Sequence, residues 1–139
     1  MIKLIEKYEK SNNFGRHLGM TLKVIKPGIV EYTMPIEKNL QAVPGVAHGG
    51  VVASLIDGTL GVAGLSLVAD DNKVVSTIEF KVNYLKPTKI NDTIRCIGKV
   101  IRSGKSILYI QAEVFNQKDE LIACGSGSFN KYDCPESLR

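Results

Sequence analysis

Period-two alternation of apolar and polar residues dominates the second half of this 139-residue chain, and one long apolar run interrupts the first half. From Val74 to Leu85 the alternation puts Ile78, Phe80, Val82 and Tyr84 on one face. Thr77, Glu79, Lys81 and Asn83 fall on the other, the signature of a half-buried strand. Pro87 ends it. Thr93 to Arg102 predicts a further strand, Ser103-Gly104-Lys105 a hairpin turn, and Ile107 to Asn116 the next strand, with Leu108, Ile110, Ala112 and Val114 facing in. Gln117 to Glu120 turns again and Leu121 to Asn130 closes the sheet, leaving Cys134 to Arg139 as a polar tail.

Upstream, residues 1–13 predict a short amphipathic helix with Ile2, Ile5 and Tyr8 on its apolar side. Leu18 to Val24 and Ile29 to Ile36 read as two strands that turn at Pro27-Gly28. Asn39 to Ala47 reads as a loop turning at Pro44-Gly45. The apolar run follows, a helix from about Gly49 to Val68 that ends at the polar turn Asp70-Asp71-Asn72-Lys73. Strands around one apolar helix predict an α+β fold in which an antiparallel sheet packs on that helix. A helix apolar on nearly every side must be buried. One sheet covers one side, so the pattern also predicts an oligomer.

Composition narrows the function classes. The length predicts a single domain over residues 1–139. The net charge of +4 comes from scattered basic residues, with no aromatic-interleaved patch, so no nucleic-acid partner is expected. Three cysteines without metal or redox spacing, and only two histidines, predict no metal site and reduced thiols in a cytoplasmic protein. No signal peptide is read at the start. Asp57 and three glycines within the apolar helix argue against a membrane span.

The chemistry concentrates in that helix. Between Lys38 and Asp70 the only charged side chain is Asp57, and the run opens with His48-Gly49-Gly50. An apolar setting makes a carboxylate costly, which marks Asp57 as a functional candidate. The bland alternative is a structural aspartate bonded to Ser54 or Thr59. A helix starting near Gly49 presents unpaired N–H groups and a positive dipole end, suited to a phosphate or an oxyanion. Asp57 lies eight residues on, about 12 Å along the axis. One copy therefore cannot easily bring both groups to one carbonyl, whereas two antiparallel copies can. His48 reads chiefly as an anchor of the loop. Gly58, Gly61 and Gly64 read as a close-packing face, with room for an acyl chain as the alternative. Val51, Leu55 and Leu60 are candidate pocket walls.

Pro44-Gly45-Val46-Ala47-His48-Gly49-Gly50, then Asp57, then Val75-Ser76-Thr77 leading into Val82-Asn83-Tyr84-Leu85-Lys86-Pro87 form a pattern that resembles the hotdog-fold thioesterases of the phenylacetate-pathway (PaaI-type) group, relatives of the 4-hydroxybenzoyl-CoA thioesterases. The resemblance covers about residues 14–132. It implies a sheet wrapped around one central helix, hydrolysis of an acyl-CoA with no cofactor, and a homodimer or a dimer of dimers. It implies roles as well. Asp57 is the general base or nucleophile, the Gly49 N–H polarises the thioester carbonyl across the dimer interface, and His48 holds the loop. On the residues themselves, the Gly49-Gly50 pair lets a substrate approach the helix start closely. Thr77 matches a water-placing hydroxyl, although strict alternation turns it away from the helix. Lys86, Pro87, Arg102, Ser103, Gly104 and Lys105 fall where relatives contact CoA. Several relatives carry a polar amide six residues before the histidine. Ala42 stands there in this chain, with Gln41 or Asn39 as substitutes. Two other functions fit the fold less well. A non-catalytic acyl-CoA sensor has no need of Asp57, and an enoyl-CoA hydratase uses an Asp and His pair in the opposite order.

Overall fold

The computed structural model describes residues 1–139. A six-stranded antiparallel sheet, in the order β1-β2-β6-β7-β8-β5, curves around one long helix. The strands are β1 (Thr21–Lys26), β2 (Ile29–Pro35), β5 (Lys73–Tyr84), β6 (Thr93–Ser103), β7 (Ile107–Phe115) and β8 (Leu121–Asp133). The central helix α3 spans Gly49–Val68. Two shorter helices, α1 (Ile2–Ser11) and α2 (Asn13–His17), precede the sheet. A small hairpin of β3 (Gln41–Val43) and β4 (Val46–Ala47) leads into α3.

The helix sits where the sheet is thin. Gly98, Ala112, Gly125 and Val82 are neighbours on one rung across β6, β7, β8 and β5. A Cβ on Gly125 would lie 2.8 Å from Ile56 Cγ2, and one on Gly98 2.9 Å from Thr59 Cγ2. The small rung is thus a trough that admits the backbone of α3. Leu55, Ile56 and Leu60 of α3 are fully buried there, with Tyr32, Ile94, Ile110 and Phe129 of the sheet. Each such burial contributes about 2 kcal/mol, which offsets the roughly 1 kcal/mol that each helical glycine costs against alanine. The Ser66 hydroxyl bonds the Ala63 carbonyl and accepts the Gly28 N–H at 2.9 Å, tying the helix to the β1–β2 turn. Leu55→Ala is expected to destabilise the fold by about 2–5 kcal/mol, measured as a lower urea midpoint. A loss below about 1 kcal/mol would mean that the site collapses around the cavity.

Several expectations are corrected. The first helix ends at Ser11, because the Asn12 side chain accepts the Gly15 N–H at 2.9 Å and starts α2. Ile2 is 67% exposed, so Ile5 and Tyr8 carry the inner face without it. The strand expected from Leu18 begins at Thr21, with Leu18 buried in the preceding turn. The segment read as a loop, 39–47, contains the β3–β4 hairpin. The tail is anchored, since Cys134 is buried with Ile5, Leu65, Ala69 and Val74. That same cluster shows that α1 covers part of the helix surface left open by the sheet, so this surface is not wholly free for a second chain.

The correction with most consequence lies in β5. The pairing runs Thr77 with Phe129 and then Glu79 with Ser128, so Ile78 is an extra residue, a β-bulge. It reverses the parity of the strand. Before it, Val75 and Thr77 face the helix; after it, Phe80, Val82 and Tyr84 do. Ile78 is 54% exposed rather than facing in.

Candidate active site

Helix α3 starts with a spent donor beside an unspent one. His48 is its N-cap, and its Nδ1 accepts the Gly50 N–H at 2.8 Å. The ring is therefore a local cap, with its proton on Nε2. Gly50 presents no free donor here. The Gly49 N–H, by contrast, donates to no group in the chain. The Gly49 carbonyl accepts a 2.6 Å hydrogen bond from the Tyr84 hydroxyl, which braces the first turn against the end of β5. Tyr84 is marked in the sequence only as one member of the Tyr-Leu-Lys-Pro run.

Asp57 is half-buried two turns further along. Its side chain does not bond Ser54 or Thr59, whose hydroxyls return to the carbonyls of Gly50 and Leu55. Its partner is Thr77, whose Oγ1 donates to Asp57 Oδ1 at 2.9 Å. The bulge at Ile78 is what turns Thr77 toward the carboxylate. Tyr8 of α1 stands close by. Its phenol is held above its ordinary pKa by burial, and secondarily by the charges of Glu9 and Asp57.

The remaining sequence candidates divide between separate places. Lys86 and Pro87 border a cleft of about 380 Å³ that also contains Gly49 and Tyr84. The Lys86 ammonium is paired with Glu120. Arg102, Ser103, Gly104 and Lys105 form the β6–β7 end of the sheet. There Ser103, Leu108, Phe129 and Thr77 share one rung, and Lys131 Nζ donates to the Gly104 carbonyl at 2.8 Å. This rung and Tyr84 are about 20 Å apart along β5. Within one chain, the two basic groups therefore flank opposite ends of the site. Gln41 is engaged locally, its Oε1 accepting the Gly45 N–H at 2.8 Å. Asn39 is exposed in a separate depression beside Arg16, His17 and Pro35. Val51, Leu55 and Leu60 belong to the closed core and line no open cavity beside Asp57.

The glycine face of the helix has two fates. Gly64 packs tightly, since a Cβ there would meet Ile110 Cδ1 at 3.0 Å, and so does Gly58 on its Met20 side, where a Cβ would meet Met20 Cε at 3.0 Å. Gly58 and Gly61 border a cavity of about 260 Å³ that opens beside Asp57 and Thr77.

Comparison with known proteins agrees with this architecture. Residues 44–123 match the family described as the thioesterase superfamily. Acyl-coenzyme A thioesterase 13 of Homo sapiens is 27% identical over 125 residues, spanning 88% of this chain and 87% of the relative. The PaaI protein of the E. coli phenylacetic acid degradation operon superposes with a TM-score of 0.85, covering 95% of each chain at 20% identity. A protein of Streptococcus pneumoniae TIGR4 described as a hypothetical thioesterase, solved with coenzyme A, superposes with a TM-score of 0.76 at 20% identity, covering 84% of this chain and 91% of that one. With the sheet wrapped on α3 and the family match covering His48 to Thr77, this chain belongs to the thioesterase superfamily and is a thioester hydrolase of the hotdog fold.

Proposed function

We propose that the protein hydrolyses an acyl-CoA thioester to a free acid and CoA, at a site shared by two copies of the chain. One observation carries this reading: the unspent Gly49 N–H and the Asp57–Thr77 pair are eight residues apart on one helix, about 12 Å. A single carbonyl needs both within roughly 3 Å. Two chains related by a two-fold axis bring the Gly49 of one to the partner's Asp57. The unpaired outer edge of β5, 12 residues long, supports an antiparallel meeting of this kind. Exposed Ile78, Tyr84 and Leu85 lie along the same strand and its end. The arrangement also sets the Arg102–Lys105 end of one sheet beside the Lys86–Pro87 end of the other. Both basic groups then flank one CoA, where their charges suit its phosphates.

In this reading the Asp57 carboxylate takes a proton from a water as the water oxygen attacks the thioester carbonyl carbon. The carbonyl oxygen becomes an oxyanion that accepts the Gly49 N–H at the positive end of α3. The C–S bond then breaks, and the CoA sulfur leaves with the proton that Asp57 holds. Thr77 fixes the rotation of the carboxylate and leaves Oδ2 for the water. His48 holds the turn that aims Gly49. No cofactor or metal takes part.

The free thiols support a reducing, cytoplasmic setting: Cys96, Cys124 and Cys134 are unpaired. The one helix long and apolar enough to cross a bilayer is mostly buried inside the fold, which supports a role away from the membrane.

The test is thiol release over a panel of aromatic and straight-chain acyl-CoAs. Release from at least one class is expected. Binding of acyl-CoA without release from any thioester would overturn hydrolysis in favour of a sensor. Thr77→Val removes one hydrogen bond to a charged group, worth about 1.5–3 kcal/mol. It is expected to lower kcat roughly tenfold to a hundredfold, with Thr77→Ser restoring most of it. An unchanged kcat in Thr77→Val would remove the positioning role.

A further inference from the structure

The cavity beside Asp57 has an unusual wall. Gly58, Gly61 and Leu65 of α3 form one side and Phe129 of β8 another, while the outer side is the N-terminal helix α1. Leu4, Tyr8 and Ser11 line it, spaced i, i+4 and i+7 and so on one face of α1. Ile5 fixes α1 in place, buried against Leu65 and Val74. Leu138 completes the far end, and Lys7 of α1 donates to its carbonyl at 3.5 Å.

The cavity is lined mainly by apolar groups, with Ser11, Ser76 and Tyr132 also on its wall. Asp57 and Thr77 stand at one end, and Tyr8 is close enough to feel the Asp57 charge. Ile5 meets Leu65 at the other, so the cavity runs down α3 from Asp57 to Leu65. That is eight residues, about 12 Å. An extended carbon chain advances about 1.3 Å per bond, the projection of a ~1.5 Å bond, so about nine carbons fill the depth. Its volume of about 260 Å³ exceeds the roughly 150 Å³ that accommodates a benzene ring.

We propose that this cavity receives the acyl group, and that α1 is its ruler, with Leu4 at the closed end setting the longest acyl chain admitted at about nine carbons. The proposal rests on the acyl-CoA reading above, which puts the reacting carbonyl at Asp57. Gly58 and Gly61 lie on its wall, where an added Cβ would meet Met20 Cε at 3.0 Å and Phe129 Cε1 at 3.6 Å respectively, and α1 closes the cavity from outside the sheet. Acyl length is therefore set by a segment that lies outside the matched part of the family, residues 44–123.

Binding of non-hydrolysable S-alkyl-CoA thioethers, from butyl to hexadecyl, tests it by calorimetry on the full chain. Wild-type affinity should climb about fourfold per methylene, from ~0.8 kcal/mol each, to a maximum near nine carbons, then fall. Leu4→Ala should move the maximum outward by about two carbons and Leu4→Phe should move it inward, both leaving the butyl affinity unchanged. Circular dichroism establishes that each variant is folded. One maximum shared by all three proteins, a length-independent affinity, or no binding of any thioether overturns the ruler. Hydrolysis of the matching acyl-CoAs is followed alongside. Thioethers that show the shifting limit while thioesters stay intact would overturn the hydrolase reading and leave the ruler. Hydrolysis whose length optimum ignores Leu4 would do the reverse.

Discussion

Asparagine in place of Asp57 is expected to cut thiol release from acyl-CoA by about 10²–10⁴-fold and to leave the fold intact. The amide matches the carboxylate in shape. Its oxygen can still accept the Thr77 hydroxyl that now bonds Asp57 Oδ1 at 2.9 Å, so the geometry of β5 against α3 is kept. What is lost is an acceptor able to take the proton of water. Far-ultraviolet circular dichroism and elution volume should match wild type. A folded Asp57→Asn protein within about threefold of wild-type turnover would remove Asp57 from the chemistry. Single-turnover hydrolysis in oxygen-18 water separates its two possible actions. A base leaves the label in the product acid alone, so label in the Asp57 carboxylate identifies a nucleophile whose anhydride is opened at the Asp57 side.

Removing the Gly49 N–H is the second large effect. Proline at 49 deletes the donor at the first helical position, where the helix makes no use of it and proline is well tolerated. The preceding residue, His48, already has φ −59° and ψ 136°, a conformation proline favours before it. A loss of about 10²–10³ in kcat is expected. A Cβ at this position would lie 3.2 Å from the Tyr84 hydroxyl oxygen. Gly49→Ala is therefore the control: it adds the same carbon, keeps the N–H, and should lose far less. Mixing the two inactive proteins then tests whether the site is shared. If Asp57 and Gly49 act on one carbonyl from different chains, unfolding and reassembling Asp57→Asn with Gly49→Pro gives hybrid pairs with one intact site of two. Hybrids are half of a random mixture, so about a quarter of wild-type activity should return. No recovery, with hybrids demonstrably formed, would place both groups in one chain and end the shared-site reading.

The site shows where sequence periodicity reaches its limit. Strict alternation through β5 put Thr77 on the face away from the helix, because one extra residue is invisible to a period-two count. The Ile78 bulge carries no sequence mark of its own; isoleucine is an ordinary strand residue. Its effect is to turn Thr77 toward Asp57 while keeping Phe80 and Val82 against the core. Gly50 was similar. Next to Gly49 in sequence it reads as an equal donor, yet the His48 ring takes its N–H, and that choice depends on a side-chain rotamer. Tyr84 owes its role to the strand end lying beside the helix start, a proximity of residues 35 apart in the chain.

Local residue patterns suffice for the central helix from Gly49 to Val68, the succession of strands around it, and the isolation of one carboxylate eight residues past a glycine helix start. These follow from local rules: an uninterrupted apolar run, alternation, turn residues at Pro27-Gly28 and Ser103-Gly104, and the rise of a helix. Tertiary structure decided which hydroxyl meets Asp57, which glycine N–H stays free, and what walls the cavity beside them. It also decided that Arg102–Lys105 and Lys86–Pro87 stand at opposite ends of one sheet. Those outcomes depend on pairing register and on the docking of α1, contacts between residues far apart in the chain. A one-residue shift in register exchanges the two faces of a strand without altering its composition, so only the folded chain could settle them.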